Sequence, residues 1–131
     1  MIESEFPEAN LTKKIIAAAI EVHRLLGPGF GEDAYEEAFA YELKLRNIPF
    51  QRQNEFQVIY KDIIAKTYKF DFLIDDKIIV ELKAVSELND VHEAQVLSYL
   101  KAAKLKVGLL INFNVKMLKN GIKRLVNTKR V

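Results

Sequence analysis

The spacing of apolar residues divides the chain into helical and extended stretches. From Leu11 to Leu26, the positions Ile15, Ile16, Ala19, Ile20, Val22 and Leu26 recur at helical intervals and predict a helix with a broad apolar face. Asn10 or Thr12 caps its start. Gly27-Pro28-Gly29 ends it, since glycine and proline together break a helix. A second helix is expected from Gly31 or Glu32 to Arg46, with Ala34, Ala38, Phe39, Tyr41 and Leu45 on its apolar stripe. Asn47-Ile48-Pro49 stops it. Residues 50–60 alternate through Phe50, Phe56, Val58 and Tyr60 and read as a strand; Lys61-Asp62 turns into a further strand over 63–74. Asn89-Asp90 caps a third helix, about 90–104, with Glu93 placed for a capping box on Asp90. Val107 to Phe113 is a strongly apolar, central strand. Asn120-Gly121 reads as a turn, and Ile122 to Val126 as a short last strand or helix. Repeats, low-complexity segments and internal linkers are lacking.

The pattern is most informative between Lys69 and Lys83. Two runs rich in Phe, Ile and Val flank the polar trio Asp75-Asp76-Lys77, which predicts a hairpin. Side chains alternate along a strand, so Phe70, Phe72 and Ile74 share one face of the first run, and Ile78, Val80 and Leu82 one face of the second. Both sets lie on one side of the hairpin only if 74 pairs with 78, 72 with 80 and 70 with 82. That register leaves a three-residue loop, a common hairpin length. It also sets Asp71 opposite Glu81, with Lys83 further along the same face. Directly opposed residues have Cβ atoms about 4.5–5.5 Å apart.

Composition limits what such a site can be. The 131 residues are expected to form one domain over 11–127, with a lead-in at 1–10 and a basic tail at 128–131. Half of them are hydrophobic, enough for a core. Cysteine is absent, which excludes disulfides and zinc–thiolate sites and fits a reducing cytoplasm, the expected location. Residues 1–10 hold three glutamates and no basic stretch, so no signal peptide is expected, and the apolar run Ile15 to Ile20 is too short for a bilayer. The net charge of +2 hides an asymmetry: residues 1–93 carry −7, and residues 94–131 carry +9 with no acidic residue. An acidic site beside a basic segment suits a metal-dependent enzyme acting on a polyanion; a soluble surface with offsetting charges has the same signature.

Two opposed carboxylates repel each other unless something compensates. A divalent cation does so, since Mg²⁺ binds through one or two carboxylates together with substrate phosphate. Lys83 beside them can hold a phosphate or polarise a water. The alternative is an exposed charged strip on a half-solvated sheet. Leu73 and Ile79 on the same face argue for cover, and strand interiors tend to exclude Asp, Glu and Lys. Glu32, Tyr35, Glu36 and Phe39 follow at helical spacing, so Glu32 or Glu36 is a candidate third acid. Glu32 equally suits the first turn through the helix dipole. On the third helix His92, Gln95 and Tyr99 form a polar stripe beside Ala94, Leu97 and Leu100. Gln95 and Tyr99 either contact phosphate or orient Lys83, or form an ordinary helix margin. His23, in an otherwise apolar helix, reads as a satisfied, partly buried histidine.

The set Asp71, then Glu81 and Lys83 as Glu-x-Lys on the next strand, resembles the core of the PD-(D/E)XK nuclease superfamily. The runs Glu21-Val22-His23-Arg24-Leu25-Leu26-Gly27-Pro28-Gly29 and Glu32, Tyr35 and Glu36-Glu37-Ala38 resemble the signature of the GxxExxY protein family within it. So do Val80-Glu81-Leu82-Lys83-Ala84-Val85, Val91-His92-Glu93-Ala94-Gln95, Gly108 to Asn114 and Gly121-Ile122-Lys123-Arg124. The resemblance spans about residues 12 to 127. It implies an α/β, restriction-endonuclease-like core with a mixed central sheet flanked by helices. It implies catalytic Asp71, Glu81 and Lys83. Mg²⁺ or Mn²⁺ would be held by Asp71, Glu81 and the Leu82 carbonyl, with Glu32 as the helix acid. It also implies substrate contacts from Gln95 and Tyr99.

The expected function is therefore metal-dependent phosphodiester hydrolysis of nucleic acid, DNA favoured over RNA, with no membrane role. The competing readings are a non-catalytic nucleic-acid-binding or assembly module on the same fold, and a small subunit that joins a partner protein or a second copy. The intact acid and lysine set separates the first reading from the others; the basic C-terminal segment does not.

Overall fold

A computed structural model of the chain describes residues 7–128. Most of the expected lead-in, and residues 129–131 of the expected tail, lie outside the described residues. Three helices, α1 (Ala9–Leu26), α2 (Glu32–Leu45) and α3 (Asp90–Ala103), accompany seven strands. These are β1 (Phe50–Arg52), β2 (Glu55–Tyr60), β3 (Ile63–Lys69), β4 (Phe72–Ile74), β5 (Ile78–Lys83), β6 (Val107–Asn112) and β7 (Ile122–Val126). Five strands form a mixed sheet in the order β1-β4-β5-β6-β7, in which β5 and β6 are parallel and the other pairs antiparallel. β2 and β3 form a separate ribbon. This is the mixed α/β architecture expected from the sequence.

Each face of the sheet is covered because the inner strands are apolar on both sides. Ile78, Val80, Leu82, Leu109 and Ile111 pack with Ile15, Ala19, Tyr35, Phe39 and Leu43 of α1 and α2. Leu73, Ile79 and Leu110 pack on the other face with Val96, Tyr99 and Leu100 of α3 and with Phe70. β5 and β6 are parallel, so a crossover must join them, and α3 is that crossover. It lies close to the sheet. A Cβ on Gly108 would come within 2.8 Å of Val96, so a side chain there would push the helix away.

The hairpin register is the expected one, with Ile74 opposite Ile78 and Phe72 opposite Val80. Asp75 and Asp76 both take positive φ, which Asp tolerates better than most residues, and Lys77 N–H closes the turn on the Ile74 carbonyl at 2.9 Å. Elsewhere the strands differ from expectation. The runs 50–60 and 63–74 are each broken, near Gln53-Asn54 and Phe70-Asp71, and their outer parts leave the sheet as the β2–β3 ribbon. Gln53, at φ 54°, makes a bulge-like kink, and the hydrogen bonds Gln53 N to Asp71 O and Phe70 N to Asn54 O carry the pairing across it. The kink interrupts side-chain alternation. Phe70 therefore lies on the α3 side, opposite Phe72, and not on the shared face that the simple register predicts.

The helices also bury somewhat different stripes. α2 buries Tyr35, Phe39, Ala40 and Leu43, whereas Tyr41 and Leu45 are exposed. α1 buries Ala18 and His23 but exposes Ile20 and Leu26. α3 buries Val96, Tyr99 and Leu100, whereas Leu97 and Ala94 are exposed. Asn89, not Asp90, caps α3. Its side chain accepts the Val91 and His92 N–H groups, and His92 Nδ1 accepts the Asn89 N–H, so His92 takes the capping-box role expected of Glu93.

Candidate active site

β4 and β5 stop pairing through their backbones just where the two acids meet. The last ladder pair is Phe72 with Val80. One step further, Asp71 N–H donates to Glu81 Oε2 at 2.8 Å, and Leu82 N–H donates to Asp71 Oδ2 at 2.8 Å. Two carboxylates thus stand in for the main-chain carbonyls that would continue the ladder. The geometry fixes both side chains beside each other, as the hairpin register requires.

Glu81 is buried, and Asp71 and Lys83 are half-buried. Burial, then the Asp71 charge, push the Glu81 carboxyl up to about 9, against the lowering effect of the Asp71 N–H and of Lys83. Both causes favour the protonated form of Glu81 while no cation is present. Two like charges placed side by side disfavour each other unless a positive charge compensates. Two hard oxygen donors oriented by main-chain N–H groups are a donor set that suits a hard divalent cation. Among the described residues, no three His, Cys, Asp or Glu side chains form a group that could hold a metal ion. The protein's own contribution to such a site is the pair.

The structure does not bring the expected helix acid into that pair. Glu32 opens α2 and is exposed. Glu36 is instead held by Arg52 of β1, whose Nη2 lies 2.6 Å from its Oε2, and by Gln53 Nε2 at 3.2 Å. Arg52 also binds Glu37. Gln53 donates its backbone N–H to the Asp71 carbonyl, so Glu36 is linked to the Asp71 strand through one residue. Arg52 and Gln53 carry no distinguishing signal in the sequence. Their role depends on how α2 crosses the sheet edge.

Gln95 and Tyr99 lie on the α3 side of the sheet, the side to which Glu81 and Lys83 point. Gln95 Nε2 donates to the Tyr99 hydroxyl at 3.1 Å. Burial, then the nearby Glu81 charge, raise the Tyr99 hydroxyl above its ordinary value, so the two groups are within electrostatic reach. Tyr99 is also part of an aromatic cluster with Phe56, Tyr68 and Phe70 from the ribbon and its junction. That cluster is visible in the sequence only as alternation, and it becomes part of the site's wall because the ribbon folds over α3.

Two further contacts steady the surroundings. Asn112, buried at the end of β6 and paired with Lys83, bonds both the N–H and the carbonyl of Val85 and so pins the chain leaving β5. Tyr35, fully buried, donates its hydroxyl to the Gly27 carbonyl at 2.6 Å and accepts the Phe30 N–H at 3.2 Å, tying down the Gly-Pro-Gly loop ahead of Glu32. Gly29 has φ 108°, a conformation that glycine adopts without strain. His23 is buried and satisfied by the Val115 carbonyl at 2.7 Å, as expected.

Among the described residues no helix is long and apolar enough to cross a membrane. No curated protein is significantly similar in sequence. The family model of the PD-(D/E)XK nuclease superfamily matches residues 9–125, from the first residue of α1 to the last strand. The mixed sheet flanked by helices agrees with its restriction-endonuclease-like fold. Both the match and the fold place this chain in the PD-(D/E)XK nuclease superfamily.

Proposed function

We propose that the protein is a divalent-metal-dependent nuclease of the GxxExxY type, hydrolysing phosphodiester bonds in nucleic acid, DNA before RNA. The observation that carries this reading is the reciprocal seating of Asp71 and Glu81, with Lys83 on the same face. Buried Glu81 beside the half-buried Asp71 carboxylate calls for a cation, and their oxygens offer it a seat. Asp71 and Glu81 would hold Mg²⁺ or Mn²⁺, with the Leu82 carbonyl as a further oxygen donor. Such an ion, when bound, polarises a phosphoryl oxygen and lowers the pKa of a water. Lys83 orients the attacking water or steadies charge on the phosphate. Gln95 and Tyr99 offer hydrogen bonds to phosphate oxygens from the α3 side. Glu32 is assigned as an outer acid that joins only when substrate and ion are present; Glu36, through Gln53, is its competitor for that role.

The test is cleavage of labelled single- and double-stranded DNA and RNA with Mg²⁺, with Mn²⁺ and with chelator. Activity should need the ion, vanish with chelator and be lost in Asp71→Ala. If wild type cleaves nothing with any divalent ion and Asp71→Ala binds nucleic acid as wild type does, the non-catalytic binding module is the correct reading.

A further inference from the structure

A cleft of about 760 Å³ runs between the β2–β3 ribbon and α3. Gln57 and Tyr68 of the ribbon face Gln95, Tyr99, Lys101 and Lys104 of the helix across it. The chain as a whole carries nearly as many acidic as basic residues, yet none of the described residues lining this cleft is acidic. Lys101 and Lys104 are exposed at the outer end, and Tyr99 packs in one cluster with Phe70, the residue before Asp71, and Ile79, two residues before Glu81 on β5. The cleft is thus cationic at its lysine end and lined within by Tyr68 and Tyr99 together with Val58, Ile59 and Ala102, and through Tyr99 it adjoins the cluster beside the carboxylate pair.

We propose that this cleft is the path of a single nucleic-acid strand into the site, with Lys101 and Lys104 on its phosphates and Tyr68 stacking on a base. The proposal rests on the nuclease reading for its direction toward Asp71 and Glu81, and it adds the form of the substrate. The volume is that of a drug-sized ligand, roughly one or two nucleotides. A duplex can press phosphates against the mouth but cannot fill such a space. A single strand fills it, and aromatic rings accept any base by stacking. The Tyr68 ring already attracts a cation, with Lys66 Nζ 4.9 Å from its centroid, and its other contacts are the Phe56 and Tyr99 rings. A base on that ring displaces the Lys66 ammonium toward the neighbouring phosphate. Gln57 and Gln95 supply donors and acceptors without charge, which suits binding that is tolerant of sequence.

The experiment measures binding, so it is independent of cleavage. A fluorescent oligodeoxythymidylate of about ten nucleotides and a hairpin duplex are titrated by anisotropy in chelator at several salt concentrations. The single strand should bind more tightly than the duplex. Lys101→Gln with Lys104→Asn should weaken single-strand binding about tenfold and reduce the salt slope by about 1.4, the share of two phosphate contacts. Asn is chosen because Lys104 has φ 59° and asparagine tolerates that conformation. Tyr68→Leu should weaken binding without changing the slope. The control pair Lys13→Gln with Lys14→Gln, on α1, should change neither. The proposal falls if the cleft variants bind as wild type does, if the control pair loses as much, or if the duplex binds better. Cleft-dependent binding without cleavage would sink the nuclease reading and keep the strand path. Cleavage by cleft variants with unchanged affinity would do the reverse.

Discussion

Asp71 and Glu81 complete each other's hydrogen bonding: Glu81 takes the Asp71 N–H, and Asp71 takes the N–H of Leu82, the residue after Glu81. The same atoms therefore close the sheet and present the acids.

Replacing Glu81 by Gln separates the two tasks. Burial and the Asp71 charge favour a protonated Glu81 without metal, and an amide copies the shape, acceptor and donor of that form. Chemical denaturation without metal should find Glu81→Gln within about 1 kcal/mol of wild type or more stable. Mg²⁺ or Mn²⁺ should raise the melting temperature of wild type and not of the variant, because an ion that binds only the folded chain stabilises it. An equal rise in both would remove Glu81 from the metal site.

The raised Glu81 carboxyl also sets a pH dependence. Its folded value, about 9, exceeds its ordinary value of 4.5, so between these the folded chain binds more protons than the unfolded one. Its contribution to stability is full below the lower value and is lost as pH rises through the upper. Metal-free wild type should lose stability relative to Glu81→Gln across that window, by up to about 1.4 kcal/mol per pH unit. Denaturation curves of the two proteins at matched pH values would show parallel profiles if the carboxyl were not raised.

Lys83→Ala should abolish most cleavage while metal affinity stays the same or increases, because a nearby positive charge opposes a cation. Isothermal titration with Mn²⁺ beside single-turnover cleavage measures both. A joint fall in affinity and rate would make Lys83 a structural support of the acid pair.

Tyr35→Phe keeps the ring stacked on Phe113, whose centroid lies 4.6 Å away, and removes the hydroxyl that ties Gly27 to Phe30. Stability should drop by about 1 kcal/mol, the ordinary value of such bonds. Hydrogen exchange should quicken at Phe30 and not in β5 or β6. Uniform protection would mean that the loop holds itself.

The parts of this fold that the sequence makes legible are those set by alternation and strong local chemistry. Ile74 with Ile78 and Phe72 with Val80 follow from burying one apolar face, and the Asp71–Glu81 opposition follows from them. Phe70 escapes that logic, because Gln53 takes a positive φ that glutamine does not advertise, and the kink turns Phe70 over. The helix acid escapes it too. Which of Glu32 and Glu36 nears the sheet depends on the Arg52 and Gln53 contacts, which join residues sixteen and seventeen positions from Glu36. Asn89 and Asp90 are adjacent and equally good caps, so the choice between them is settled by where α3 begins over the sheet.

The reciprocal seating of Asp71 and Glu81 also bears on how such a chain can age. Were the two acids held only by their chemistry, a lineage that stopped cutting nucleic acid would soon scatter these positions. Here the strand end needs an acceptor at both, so drift is channelled. Asparagine at 71 and glutamine at 81 keep the hydrogen bonds and discard the charge. On the proposed nuclease reading, descendants that lost the activity would carry amides there and stay folded, and active ones would carry acids. The amide-to-acid ratio at the two sites would then record which descendants still act.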